Sequence, residues 1–265
     1  MKISQWVKWW NSRQGLRRES LQQGARQINL NVVCIRWGQK FSADYVHKLY
    51  NMVQRNLTLP HRFICLTENP GDLHAGIESI ELQQGFEYCW NKLELFKPAN
   101  FSQQDLCLYF DLDVVITGNI DDLAAIRPQE KFTGLRDWYT RGNLCYNSSV
   151  MRFYGDYFGA LNTSLIAKLK EGTVRWGREY DGYLRSDDKV VLWEGKTRYG
   201  GDQEWISRYV YPQRELKKHS FPKEWIMSYK KHGRSGLPAG CKVMVFHGFP
   251  KPHEVNNDYV KEHWR

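Results

Sequence analysis

Between residues 28 and 137, apolar runs alternate with segments of helical spacing. Residues 28–37 form an apolar run of strand length, and 45–57 place Val46, Leu49, Tyr50 and Val53 on one helix face. Arg62–Thr67 reads as a second strand and 77–82 as a short third. Tyr88–Phe96 has helical spacing, and Pro98 stops it. The longest apolar run follows at 105–120, and 131–137 makes a further strand. Strand–helix–strand alternation of this length predicts an α/β fold, a mostly parallel central sheet flanked by helices. In such sheets ligands collect beyond the carboxyl ends of the strands.

The pattern loosens past residue 140. Residues 143–158 hold Asn147-Ser148-Ser149-Val150-Met151, small polar residues entering an apolar run. Residues 168–198 are charge-rich, with Trp176, Tyr180, Tyr183 and Trp193 interspersed. They suit a solvated helical insertion or an acceptor-binding wall. Gly200-Gly201-Asp202-Gln203 precedes a helical segment at 204–209, where Asp202 could cap free N–H groups or meet a ligand. A short strand at 242–246 runs into His247-Gly248-Phe249-Pro250-Lys251-Pro252.

Two carboxylates, Asp111 and Asp113, interrupt the run at 105–120. On a continuous strand they would share a face, with Leu112 opposite. Two like charges beside a core are costly unless something positive lies between them. A divalent cation meets that need, and oxygen ligands favour Mg²⁺ or Mn²⁺. The competing reading is an ordinary strand end with solvated acids. A histidine leaving a buried strand, such as His247, can ligate a metal or be structural. A lysine in a Pro-framed turn, such as Lys251, can meet a phosphate as a point charge.

Composition narrows the partners. The 265 residues are 42% hydrophobic and 25% charged, ordinary for a globular protein with a sizeable core. A net charge of +9 and an aromatic share of 14% suit an anionic or flat ligand: nucleic acid, anionic lipid or a nucleotide diphosphate. The six cysteines form no Cys-x-x-Cys and read as reduced core residues. No run of 18 apolar residues or signal-peptide pattern is present, so the expected location is the cytoplasm. Residues 1–27 stand apart from the single domain at 28–265. Ile3, Trp6, Val7 and Trp10 share one helix face, and basic residues far outnumber Glu19. Such a segment suits peripheral contact with an anionic membrane, or packing on its own domain.

In this order, the Asp-x-Asp run, the Asn-Ser-x-Val segment, the Gly-Asp-Gln and the final His-Gly-x-x-Lys-Pro resemble nucleotide-sugar glycosyltransferases of the glycosyltransferase-A fold. The resemblance is to glycosyltransferase family 8 and its bacterial relatives, and it covers residue 29 to the C-terminus. It implies a metal-dependent hexosyltransferase using a nucleotide-diphosphate sugar, with UDP expected, and a glycan or lipid-linked acceptor, with retention. It further implies that Asp111, Asp113 and His247 hold Mn²⁺ or Mg²⁺. Lys251 and Gly248 would meet the diphosphate, Lys92 the donor, Asn147 the sugar, and Phe41 the base. Asp202 and Gln203 would lie beside the anomeric carbon as the catalytic pair. Ser149 stands where the family often has glycine.

Three rivals are weaker. A sugar nucleotidyltransferase would carry a glycine-rich basic loop after its first strand, whereas Arg36-Trp37-Gly38 has one glycine. A glycosidase places its two carboxylates on separate elements flanking the bond. A basic aromatic nucleic-acid-binding module explains the charge and the 11 tryptophans but not acids in an apolar run. No nucleic-acid partner is therefore expected.

Overall fold

The computed structural model describes residues 28–139, 145–181, 186–210 and 218–265. The basic segment at 1–27, with its membrane expectation, lies outside them. Strand β1 (Asn29–Arg36) leads into helix α1 (Ala43–Asn56), then β2 (Arg62–Thr67) and β3 (Glu78–Ile80). A 3₁₀ segment, Tyr88–Phe96, precedes β4 (Asp105–Phe110) and β5 (Val114–Ile116). Next come α2 (Asp121–Ala125), β6 (Phe132–Arg136), β7 (Tyr146–Tyr154) and α3 (Gly159–Lys170). An antiparallel unit follows, β8 (Val174–Asp181), β9 (Ser186–Glu194) and β10 (Thr197–Tyr199). Helix α4 (Asp202–Val210), β11 (Ile226–Ser228), β12 (Val243–Val245) and α5 (Asp258–His263) complete the chain.

The central sheet has the order β3-β2-β1-β4-β7-β6. Strands β3, β2, β1 and β4 are parallel, and β7 and β6 extend the sheet antiparallel. Its strands are apolar on both faces, as a sheet covered on both sides requires. The period of two sorts them: Val32, Cys34, Leu106, Leu108 and Phe110 face one core, and Val33, Ile35, Cys107 and Tyr109 face the other. Helices α1 and α5 and the small sheet β11-β12-β5 cover the first face. The 3₁₀ segment, α3, α4 and the β8–β10 unit cover the second. Each fully buried apolar side chain contributes about 1.5–3 kcal/mol. All six cysteines are free thiols. No helix among the described residues is long and apolar enough to cross a membrane.

Two expectations need correction. The run at 105–120 is not one strand. It breaks after Phe110, and β5 joins a different sheet by pairing antiparallel with β12. Asp111 and Asp113 therefore occupy a corner between sheets and share no strand face. The apolar pattern was continuous because both sides of the corner are buried. Nor are residues 168–198 a helical insertion: past α3 they form the β8–β9 hairpin. Charges fall on both faces of β8, Arg178 on one and Arg175 and Glu179 on the other, so no alternation marked the strand.

Candidate active site

The corner at Asp111–Asp113 opens into a cavity of about 440 Å³ at the carboxyl ends of β1 and β4. All ten residues to which the resemblance gave a site role line it: Phe41, Lys92, Asp111, Asp113, Asn147, Asp202, Gln203, His247, Gly248 and Lys251. Several elements deliver them. Phe41 comes from the turn after β1, Lys92 from the 3₁₀ segment, Asp202 and Gln203 from the start of α4, and His247 to Lys251 from the turn after β12.

Asp111 is held from the second face. Its carboxylate pairs with Lys92 Nζ at 2.8 Å and accepts from the Tyr109 hydroxyl at 2.7 Å, while its own N–H donates to Ser149 O at 2.8 Å. Burial alone would raise this carboxyl. The Lys92 charge, with hydrogen bonds from Lys92, Tyr109 and Ser149, outweighs burial and lowers it. Burial would likewise lower the Lys92 ammonium, but Asp111 and Asp202 reverse that and raise it. Asp113 is held from the other side. Its carboxylate pairs with Lys251 Nζ, and its backbone carbonyl accepts from Phe246 N–H at 3.0 Å. Burial and the neighbouring Asp111 push this carboxyl up, against the opposing pull of Lys251.

A bulge supplies the next wall. Between Gly134 and Leu135 the β6–β7 register jumps from Met151 to Asn147, so the intervening residues of β7 bow out. Ser148 Oγ thereby reaches Lys92 Nζ at 3.0 Å, and Asn147 Oδ1 accepts Ser149 N–H at 3.0 Å. Asp202 is 3% exposed and lies 3.7 Å from Lys92 Nζ. Its Oδ2, the oxygen that faces Lys92, makes no hydrogen bond among the described residues. Tyr88, at the rim, has a φ of 55°, a left-handed backbone that is uncommon for a bulky side chain.

His247 stacks on Trp138 at 5.5 Å between ring centroids, and its Nε2 lies 2.7 Å from Ser228 Oγ. Burial, with Lys230 nearby, pushes it down to about 4, so the imidazole is neutral near neutral pH and able to ligate. The donor types around the cavity suit a hard divalent cation: two carboxylates at the corner and one neutral imidazole elsewhere in its lining. In the conformation described, Lys92 and Lys251 meet the carboxylates. Among the described residues, no three His, Cys, Asp or Glu side chains are drawn together as a ligand cluster.

Sequence reasoning assigned no role to Lys40 or Tyr109. Lys40 lines the cavity, with burial and Lys251 lowering its ammonium. It directly precedes Phe41, so a second basic residue beside the candidate base-binding aromatic was the available signal. Tyr109 lies two residues before Asp111, the spacing that puts a strand-end hydroxyl beside a carboxylate.

No protein-family model and no curated protein matches the sequence. Solved structures do match. An active-site mutant of LgtC matches with a TM-score of 0.53 at 13% identity, over 88% of this chain and 93% of that one. GlyE from Streptococcus pneumoniae TIGR4, a glycosyltransferase, matches with a TM-score of 0.56 at 13% identity, over 89% and 62%. The bifunctional glycosyltransferase WbbM matches with a TM-score of 0.51 at 11% identity, over 87% and 48%. The chain has the α/β fold of these glycosyltransferases.

Proposed function

We propose that this chain is a divalent-metal-dependent glycosyltransferase, moving a hexose from a UDP-sugar to a glycan or lipid-linked acceptor with retention. The observation that carries the reading is the charge arrangement of one cavity. Three aspartates, Asp111, Asp113 and Asp202, face three lysines, Lys40, Lys92 and Lys251, at the carboxyl edge of the sheet. The balanced wall suits a ligand that enters as a neutral pair, a diphosphate together with its divalent cation. Asp111, Asp113 and His247 are the residues that would hold the cation. When bound, it supplies Lewis-acid stabilisation of charge on the departing nucleotide.

The chain's own groups divide the remaining work. Lys251, with Lys40 beside it, exchanges its carboxylate contact for the diphosphate, and Gly248 leaves room for that approach. Phe41 presents a ring to the base, while Lys92 and Asn147 orient the donor. Asp202, whose Oδ2 has Lys92 at 3.7 Å but no hydrogen bond among the described residues, takes a sugar hydroxyl and stabilises positive charge at the anomeric carbon, and Gln203 lies beside it. The bond from that carbon to the phosphate oxygen breaks. The acceptor hydroxyl oxygen bonds on the same face, and its proton leaves on the departing phosphate.

Thermal melting of the full chain tests this reading. UDP with Mn²⁺ should raise the melting temperature, a chelator should cancel the rise, and single-stranded RNA should have no effect. Stabilisation by RNA but not by UDP with Mn²⁺ would replace the enzyme by a nucleic-acid-binding module.

A further inference from the structure

We infer that a groove beside the candidate active site is a subsite for a neutral pyranose residue of the acceptor glycan, with Trp176 as its platform. The inference rests on the glycosyltransferase reading and names what its acceptor side would recognise. The groove has a volume of about 280 Å³ and is lined by Gly85, Phe86, Glu87, Trp176, Arg178 and Val190 among others.

The β8–β9 hairpin builds it. Val174, Trp176 and Arg178 alternate onto one face of β8. Val174 is buried against the second core, whereas Trp176 lies where the strand leaves that core and is 36% exposed. The indole is nonetheless fixed. Trp90 meets it at 5.2 Å between centroids and 69° between planes, and Phe86 meets it at 6.0 Å and 64°. Trp90 is itself fully buried and donates Nε1–H to Val190 O at 2.9 Å. An exposed ring held this way loses little freedom on binding, and its flat apolar surface suits the C–H face of a sugar ring.

The polar rim points to the same ligand. Arg178 Nη2 donates to both Glu87 carboxylate oxygens at 3.0 Å, and both side chains are about half exposed. The pair offers donors and acceptors to hydroxyl groups while carrying no net charge. That balance favours a neutral sugar over a phosphorylated or sulfated one.

Position links the groove to the chemistry. One backbone segment walls both spaces: Gly85, Phe86 and Glu87 face the groove, while Tyr88, Cys89 and Lys92 face the catalytic cavity. A glycan seated on Trp176 is therefore one wall away from the donor.

The test uses the full-length protein, fluorescently labelled, on an array of neutral, phosphorylated and sulfated oligosaccharides. The variants are Trp176→Ala, Trp176→Phe and Arg178→Ala, with UDP binding measured by calorimetry alongside. Wild type should retain neutral glycans. Trp176→Ala should weaken that binding about tenfold or more, with UDP affinity unchanged. Trp176→Phe, which keeps a ring and the core contacts, should retain most binding, and Arg178→Ala should lose an intermediate share. Undiminished glycan binding by Trp176→Ala overturns the subsite, as does wild type retaining only charged glycans or none. Should UDP fail to bind wild type while glycan binding still depends on Trp176, the donor reading falls and the glycan site stands.

Discussion

Asp111 and Asp113 are the same side chain two residues apart, yet they belong to different halves of the molecule. Asp111 closes against the 3₁₀ segment and β7, with Lys92, Tyr109 and Ser149 converging on it, and its carboxyl is lowered. Asp113 closes against the turn after β12, where burial and Asp111 outweigh Lys251, and its carboxyl is raised. Partners brought from remote parts of the chain set the difference. At Asp111 the lysine and hydrogen bonds overcome burial, while at Asp113 burial and the neighbouring carboxylate overcome Lys251.

The largest expected effect sets turnover against folding. Asp113→Asn should lower UDP-sugar turnover about a thousandfold, the scale of losing a group that stabilises developing charge. Its effect on folding sets relief of a carboxyl held above its ordinary range against loss of the counter-charge of buried Lys251. Kinetics at saturating donor and low Mn²⁺, paired with denaturant melts, measures both. Undiminished turnover would remove Asp113 from the site.

Asp111→Asn should reverse the balance on the folding side, costing about 3 kcal/mol by leaving buried Lys92 short of its main counter-charge. Acid should tell the two apart. A lowered folded value means that Asp111 contributes its stability above the ordinary carboxylate range and loses it as pH falls through that value. The Asp111→Asn deficit should therefore shrink on acidification. A raised folded value means that Asp113 contributes below the ordinary range and loses that contribution as pH rises through it. Asp113→Asn should therefore compare best with wild type near neutral pH and lose that standing in acid. Equal deficits for the two variants across an acid-to-neutral melting series would break the comparison.

A smaller effect divides Lys251 from the metal. Lys251→Ala should weaken UDP binding by about 2 kcal/mol, the scale of a charge-assisted hydrogen bond. Calorimetry across a Mn²⁺ series should show no rescue at high metal. Rescue would mean that the lysine serves only to hold Asp113. The smallest effect sharpens the Asp111 half. Tyr109→Phe removes one hydrogen bond to that carboxylate and should cost about 1 kcal/mol of stability. It should also raise the Asp111 titration, readable by carboxyl-carbon NMR. An unmoved titration would leave Lys92 and Ser149 to account for the low value.

Much of the first half was legible because its signals are local. The strands at β1, β2 and β6 and the helix at α1 follow from period and breaker residues, and Arg62–Thr67 and Tyr88–Phe96 have the bounds that the pattern predicts. The antiparallel hairpin at β8–β9 was not legible as such, because charges stand on both faces of β8 and only Val174 of its described residues is buried, leaving no apolar period of two. Among site residues, the family resemblance named ten residues, nine side chains and Gly248, that line one cavity. It gave neither Lys40 nor Tyr109 a task.

By itself the sequence determined the α/β class, the buried motif run and the residue types that a metal- and diphosphate-binding site would need. Apolar periodicity and residue chemistry are properties of neighbours along the chain. Only the tertiary structure decided that the run breaks at Phe110, and that Lys92 takes Asp111 while Lys251 takes Asp113. It also left an oxygen of Asp202 without a hydrogen-bond partner among the described residues. Those outcomes turn on burial and on charges from segments 19 and 138 residues away, which no local pattern encodes.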